Sequence, residues 1–194
     1  MPFVGVEVDV DERPLNGEVP EQTALRLAIA KARAGVAAHP DVIVLGADTV
    51  VAVGARAIGK PVDPDDAAET LRALRGRLHR VLTAVAAAVA GEDGQPTIYA
   101  RLAKTSVWMR NYTDEAIRDY VASGNPLDKA GSYAIQASDF RPVARIEGCF
   151  LTVVGLPLPE VLELLALAGA PLPPITAEAL ARICPSCTDA ARLL

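Results

Sequence analysis

Asp41-Val-Ile-Val-Leu-Gly-Ala-Asp48 decides the fold: a short apolar run closed by glycine and aspartate, the pattern of a central strand buried on both faces. Thr49–Val53 continues it until Gly54 breaks the run. Upstream, Glu21–His39 carries Leu25, Ala28, Ile29, Ala32 and Val36 at helical spacing, and Pro40 stops it. Earlier still, Phe3–Val10 alternates apolar and polar residues, the period of a half-buried strand, and runs into the acidic pair Asp11-Glu12. Downstream, Asp63–Arg75 reads as a helix with Asp63 as N-cap and Pro64 at the first helical position. His79–Ala90 and Thr97–Arg110 are strand-like and joined by Gly91-Glu-Asp-Gly94, a hairpin signal. Thr113 opens a helix to about Ser123. After an irregular stretch from Leu127 to Gly148, Phe150–Val154 reads as a last strand and Pro157–Ala168 as a helix. Strands alternating with helices, plus one hairpin, predict an α/β fold with a mixed, twisted central sheet flanked by helices.

A chain of 194 residues fits one domain, here residues 1–170, followed by a Pro-rich spacer and short tail over 171–194. With 51% apolar and 22% charged residues it has the composition of a globular protein. Aromatics are only 4%, so Ala, Val and Leu must build the core. A net charge of −5 argues against a nucleic-acid binder, which needs a basic stripe. Three cysteines without an even framework, and no signal-peptide pattern at Met1–Val10, point to a reducing cytoplasm. The apolar run Val81–Ala90 is far short of the roughly 20 residues that span a bilayer, so no membrane is expected.

Asp48, closing the most apolar strand, sits where strand ends line ligand crevices. If the first strand is its neighbour, Glu12 and Asp48 converge. Two carboxylates that close repel by about 4 kcal/mol at an effective dielectric near 20. A divalent cation removes that cost, and hard oxygen ligands suit Mg²⁺ or Mn²⁺; two solvated loop acids fit the same spacing. Lys60, between Gly59 and Pro61, can be an anion contact or a surface lysine. Lys31 mid-helix and Lys129 before Ala-Gly-Ser-Tyr each read alone as solvated.

Gly46-Ala-Asp48-Thr49, Ile58-Gly-Lys-Pro61, Asp128-Lys-Ala-Gly-Ser-Tyr-Ala-Ile-Gln136 and Val154-Gly-Leu-Pro157, taken together, resemble the Maf family of nucleoside triphosphate pyrophosphatases. The resemblance runs in the family's order from about Asp11 to Ala168. It implies two lobes with a cleft between them, and hydrolysis of a nucleoside triphosphate to the monophosphate and pyrophosphate with a divalent metal, Mg²⁺ or Mn²⁺. By position, Asp48 resembles the proton acceptor that activates water and Glu12 its carboxylate partner at the metal. Lys31 and Lys60 resemble the cations on the triphosphate, while Thr49 and Gln136 match positions that choose the base. The Ala134-Ile-Gln136 segment is similar to the branch acting on dTTP and UTP, and a glutamine amide offers both donor and acceptor to a pyrimidine edge. A non-catalytic nucleotide binder, or an enzyme for 7-methyl-GTP, are the alternative readings. The expected partner is the nucleotide, with a homodimer allowed and no nucleic acid.

The sequence departs from the family in one respect: a Ser-x-x-Arg-Arg loop with its preceding strand and following helix does not occur ahead of Asp11-Glu12. Cys184-Pro-Ser-Cys187 has the spacing of half a zinc site, which by itself reads as two tail cysteines without metal, with zinc shared between chains or a redox pair as the alternatives. Cys149 and His79 read as structural, and Trp108 and Tyr112 as packing residues.

Overall fold

The computed structural model describes residues 3–172 together with Glu178 and Cys184. In chain order these form α1 (Pro20–Ala38), β1 (Val44–Val53), β2 (Arg56–Ile58), α2 (Pro64–Leu74), β3 (Leu78–Val89), β4 (Thr97–Met109), α3 (Asp114–Ala122), a 3₁₀ turn (Ala130–Ser132), β5 (Val143–Glu147), α4 (Phe150–Val154) and α5 (Leu158–Leu167). The strands make one sheet in the order β2-β1-β3-β4-β5. The expected α/β layering of sheet and helices is present. Its four strand pairings are all antiparallel, however, rather than mixed. Apolar runs read alike in either orientation; the tight turn at Gly54 reverses the chain between β1 and β2, and the Gly91–Gly94 hairpin between β3 and β4.

The even-numbered residues of β1 face α1. Ala24, Ala28, Ala32 and Val36 of the helix pack on Val44, Val50, Ala84, Ala86 and Ala88. Small residues let the helix lie close to the sheet: a Cβ on Gly46 would sit 2.5 Å from the Ala28 carbonyl oxygen. The other face carries two clusters. Leu71, Leu74, Ile117, Tyr120, Tyr133 and Phe140 gather around Val51, Val81 and Val107, while Val161, Leu164 and Leu165 of α5 cover Val85 and Ala87. The capping expectations hold, since Asp63 and Thr113 accept from the backbone N–H of Asp66 and Ala116. Tyr112 and Trp108 pack as expected: the Tyr112 hydroxyl donates to the Leu71 carbonyl, and Arg145 stacks on Trp108.

Four further expectations fail. Phe3–Val10 is not a strand, and Phe3 and Val4 are 92% and 86% exposed. Alternation prepares a face, but a strand also needs a neighbour for its backbone, and none pairs with it among the described residues. Phe150–Val154 is a helix, ended by Gly155 at φ 110°, whose N–H returns to the Leu151 carbonyl. Short apolar runs do not distinguish helix from strand, and here the left-handed glycine cap decides. Val143–Glu147 is an edge strand inside the stretch read as irregular; with Ala144, Arg145 and Glu147 exposed it has no apolar face to betray it. Asp48 lies in the middle of β1 and not at its end, because Thr49–Val53 does extend the strand.

No helix of the described residues is long and apolar enough to cross a membrane. The spacer and tail expected over residues 171–194 fall largely outside the described residues, as does Cys187. Cys184 is described, and its Sγ lies 3.4 Å from that of Cys149.

Candidate active site

Among the described residues β1 pairs with β2 only over Val51–Val53, and the preceding part of that edge borders a cleft of about 620 Å³. α1 forms one wall and the segment Asp128–Gln136 the other. An edge is reached from both faces of a strand. Consecutive residues Asp48 and Thr49, whose side chains diverge, therefore both line the cleft.

On the α1 side the charged residues converge. Lys31 Nζ lies 2.7 Å from Glu12 Oε1 and 2.8 Å from Asp48 Oδ1, so one ammonium joins both carboxylates. Glu12 belongs to no regular element, and Arg26 of α1 sets its course. That guanidinium grips Glu18 through two bonds of 2.7 and 2.9 Å and donates to the Arg13 carbonyl at 3.1 Å, strapping residues 13–18 along the helix.

The two carboxylates differ in environment. Asp48 retains 12% side-chain exposure against 51% for Glu12. Burial pushes the Asp48 pKa up, beyond what Lys31 and Lys60 pull back, and the Glu12 charge adds to the rise. Glu12 is held below its usual value, chiefly by its hydrogen bond from Lys31. For Lys31, burial pulls downward, but the bonds to Asp48 and Glu12 outweigh it and its pKa is raised. Asp48 is thus the more basic of the pair, poised to accept a proton. Lys60 is exposed at the rim, and its charge is felt by both acids. The Gly131 N–H donates to the Gly59 carbonyl at 3.0 Å, tying the Lys60 loop to the opposite wall.

Around Thr49 the side chains are neutral, while the far wall carries the ion pair of Lys129 and Asp128. Thr49 Oγ1 lies 2.9 Å from Thr83 Oγ1. Gln136 is exposed on the far wall, in a loop anchored where the Ala134 N–H donates to the Tyr120 hydroxyl at 3.0 Å. Beneath it Tyr133 is buried, with its hydroxyl 2.7 Å from Nε2 of the buried His79. All six residues singled out from the sequence, Glu12, Lys31, Asp48, Thr49, Lys60 and Gln136, line this one cleft. Sequence reading missed Thr83, Tyr133 and the strap of Arg26. A lone hydroxyl amid the apolar run Val81–Ala90 was the available signal for Thr83; nothing local marks the others.

No group of three or more His, Cys, Asp or Glu able to hold a metal occurs among the described residues. Two carboxylates converging on one point nevertheless suit Mg²⁺ or Mn²⁺, which are held by one or two protein carboxylates with phosphate oxygens and water completing the shell. The donor chemistry fits the ion.

Comparison with known proteins identifies relatives of this chain. Residues 1–168 match the family described as Maf-like protein. The dTTP/UTP pyrophosphatase of Shewanella oneidensis is 46% identical over 170 residues, covering 86% of this chain and 85% of that protein. Proteins of the same name from Xanthomonas euvesicatoria and Aromatoleum aromaticum are 43% and 44% identical, covering 88% and 87% of this chain.

Proposed function

This chain belongs to the Maf-like protein family, and on that premise we propose that it hydrolyses a nucleoside triphosphate, dTTP or UTP, to the monophosphate and pyrophosphate. The observation that carries the reading is the meeting of Glu12 and Asp48 on Lys31 at the edge of β1. Asp48 serves as the base. Its raised pKa makes it a better proton acceptor than an ordinary aspartate. Lys31 orients that carboxylate and, with Lys60 across the cleft mouth, supplies positive charge to a polyanionic substrate that an acidic protein would otherwise repel. Glu12 and Asp48 would hold the divalent cation, which when bound offsets phosphate charge and lowers the pKa of water. Thr49 and Gln136 face the nucleobase.

The test is pyrophosphate release by the purified 194-residue chain with Mn²⁺ or Mg²⁺ on dTTP, UTP, CTP and 7-methyl-GTP, with Asp48→Ala as control. Activity on dTTP and UTP that vanishes in the control supports the assignment. Nucleotide binding without turnover, unchanged by Asp48→Ala, would mark a non-catalytic binder, and turnover of 7-methyl-GTP alone would move the chain to another substrate.

A further inference from the structure

Thr83 sits midway along β3, fully buried and directly opposite Thr49 in the β1–β3 register. A hydroxyl buried there has to find partners, and it finds two. Its Oγ1 lies 2.6 Å from the carbonyl oxygen of Thr152 and 2.9 Å from Oγ1 of Thr49. A threonine hydroxyl has a single proton. A carbonyl can only accept, so the Thr83 proton goes to Thr152, and the contact between the two hydroxyls requires the Thr49 proton to go to Thr83. Thr152 belongs to the last turn of α4, where carbonyls lack intrahelical partners, which leaves its oxygen available. Thr49 is left with lone pairs alone to turn toward the cleft.

Resting on the reading of the cleft as a nucleoside triphosphate site, we infer that Thr83 is a positioning residue for the choice of base. By taking the Thr49 proton it makes Thr49 an obligate acceptor. This side of the cleft then receives a pyrimidine whose ring carries an N–H, thymine or uracil. Cytosine, whose corresponding ring nitrogen is itself an acceptor, is rejected. Phosphate, whose oxygens are acceptors too, gains no bond from Thr49 and is directed toward Lys31 and Lys60 instead. Two acceptors brought together lose their water and gain no bond, and sites built to pair with a donor discriminate strongly against analogues that lack it.

The experiment measures kcat and KM for UTP, CTP and N3-methylated UTP with the wild-type chain, Thr83→Val and Thr83→Ser, alongside melting curves. Wild type should prefer UTP over both other substrates by at least about tenfold. Thr83→Val frees the Thr49 proton, so the gap between UTP and CTP should narrow by about tenfold, mainly through KM, and Thr83→Ser should restore it. Wild type turning over the N3-methylated substrate as well as UTP overturns the inference. So does a cooperatively melting Thr83→Val that keeps the full gap. If Thr83→Val does not fold, the methylated substrate on wild type decides alone. Absence of any UTP or dTTP hydrolysis by wild type would instead sink the enzyme reading, and this inference with it.

Discussion

The two sides of the cleft are built on opposite principles. On the α1 side, Glu12, Lys31 and Asp48 form a charged cluster open enough to exchange partners: the same oxygens that hold Lys31 can hold a cation. Across the edge of β1, Thr49, Thr83 and the Thr152 carbonyl form a neutral chain of hydrogen bonds, backed by the buried pair His79 and Tyr133. The difference teaches where adaptability and rigidity are each needed. On the proposed reading, the charged side would exchange partners when a polyanion binds, whereas recognition of a base requires donors and acceptors that are set beforehand.

The sharpest way to break this division is at Asp48. Asp48→Asn keeps shape and polarity but removes the base, and pyrophosphate release should fall by roughly 10³-fold while the melting temperature changes little. A loss confined to KM would mean that Asp48 only binds.

The neutral side should instead reveal itself in stability. Burial lowers the His79 pKa from 6.5 to about 4. The unfolded chain therefore takes up this proton at higher pH than the folded one, and stability declines as pH falls through that window, by roughly 3 kcal/mol in all. Urea unfolding at pH 7 and pH 4.5 should show this loss, and the difference should shrink in His79→Gln. An equal acid loss in the variant would assign the effect to other groups.

Lys31→Met probes the charged side from its centre. Removing the ammonium should cost on the order of 10² in kcat/KM. It also removes the largest influence lowering the Asp48 pKa. That pKa should rise further, and because the base must be ionised, the acid limb of the pH–rate profile should move to higher pH. An unmoved limb would separate Lys31 from Asp48. The smallest effect belongs to Gln136, exposed on the far wall. Gln136→Ala should lower kcat/KM on dTTP by about tenfold, through KM, leaving the pH profile unchanged.

Legibility in the sequence followed the range of the interactions. The helices at α1, α2, α3 and α5 and the β3–β4 hairpin were readable because their signals are local: periodicity, the caps Asp63 and Thr113, the glycines at 91 and 94. Phe150–Val154 was misread because five apolar residues carry no period, and Phe3–Val10 because alternation states a preference without supplying a neighbour. The six cleft residues were found because several short motifs occur together in one order.

What the sequence by itself determined is therefore the inventory: the longer helices and strands with local signals, that the protein is α/β, and which acids, lysines and polar side chains are available for chemistry. Tertiary structure alone decided that Lys31 stands between Glu12 and Asp48, that Asp48 is the more buried acid, and that Thr83 faces Thr49. The physical reason is distance along the chain. Thr83 lies 34 residues from Thr49 and 69 from Thr152. A proton's direction, like a pKa, is a property of what surrounds a group in space, and no local pattern encodes it.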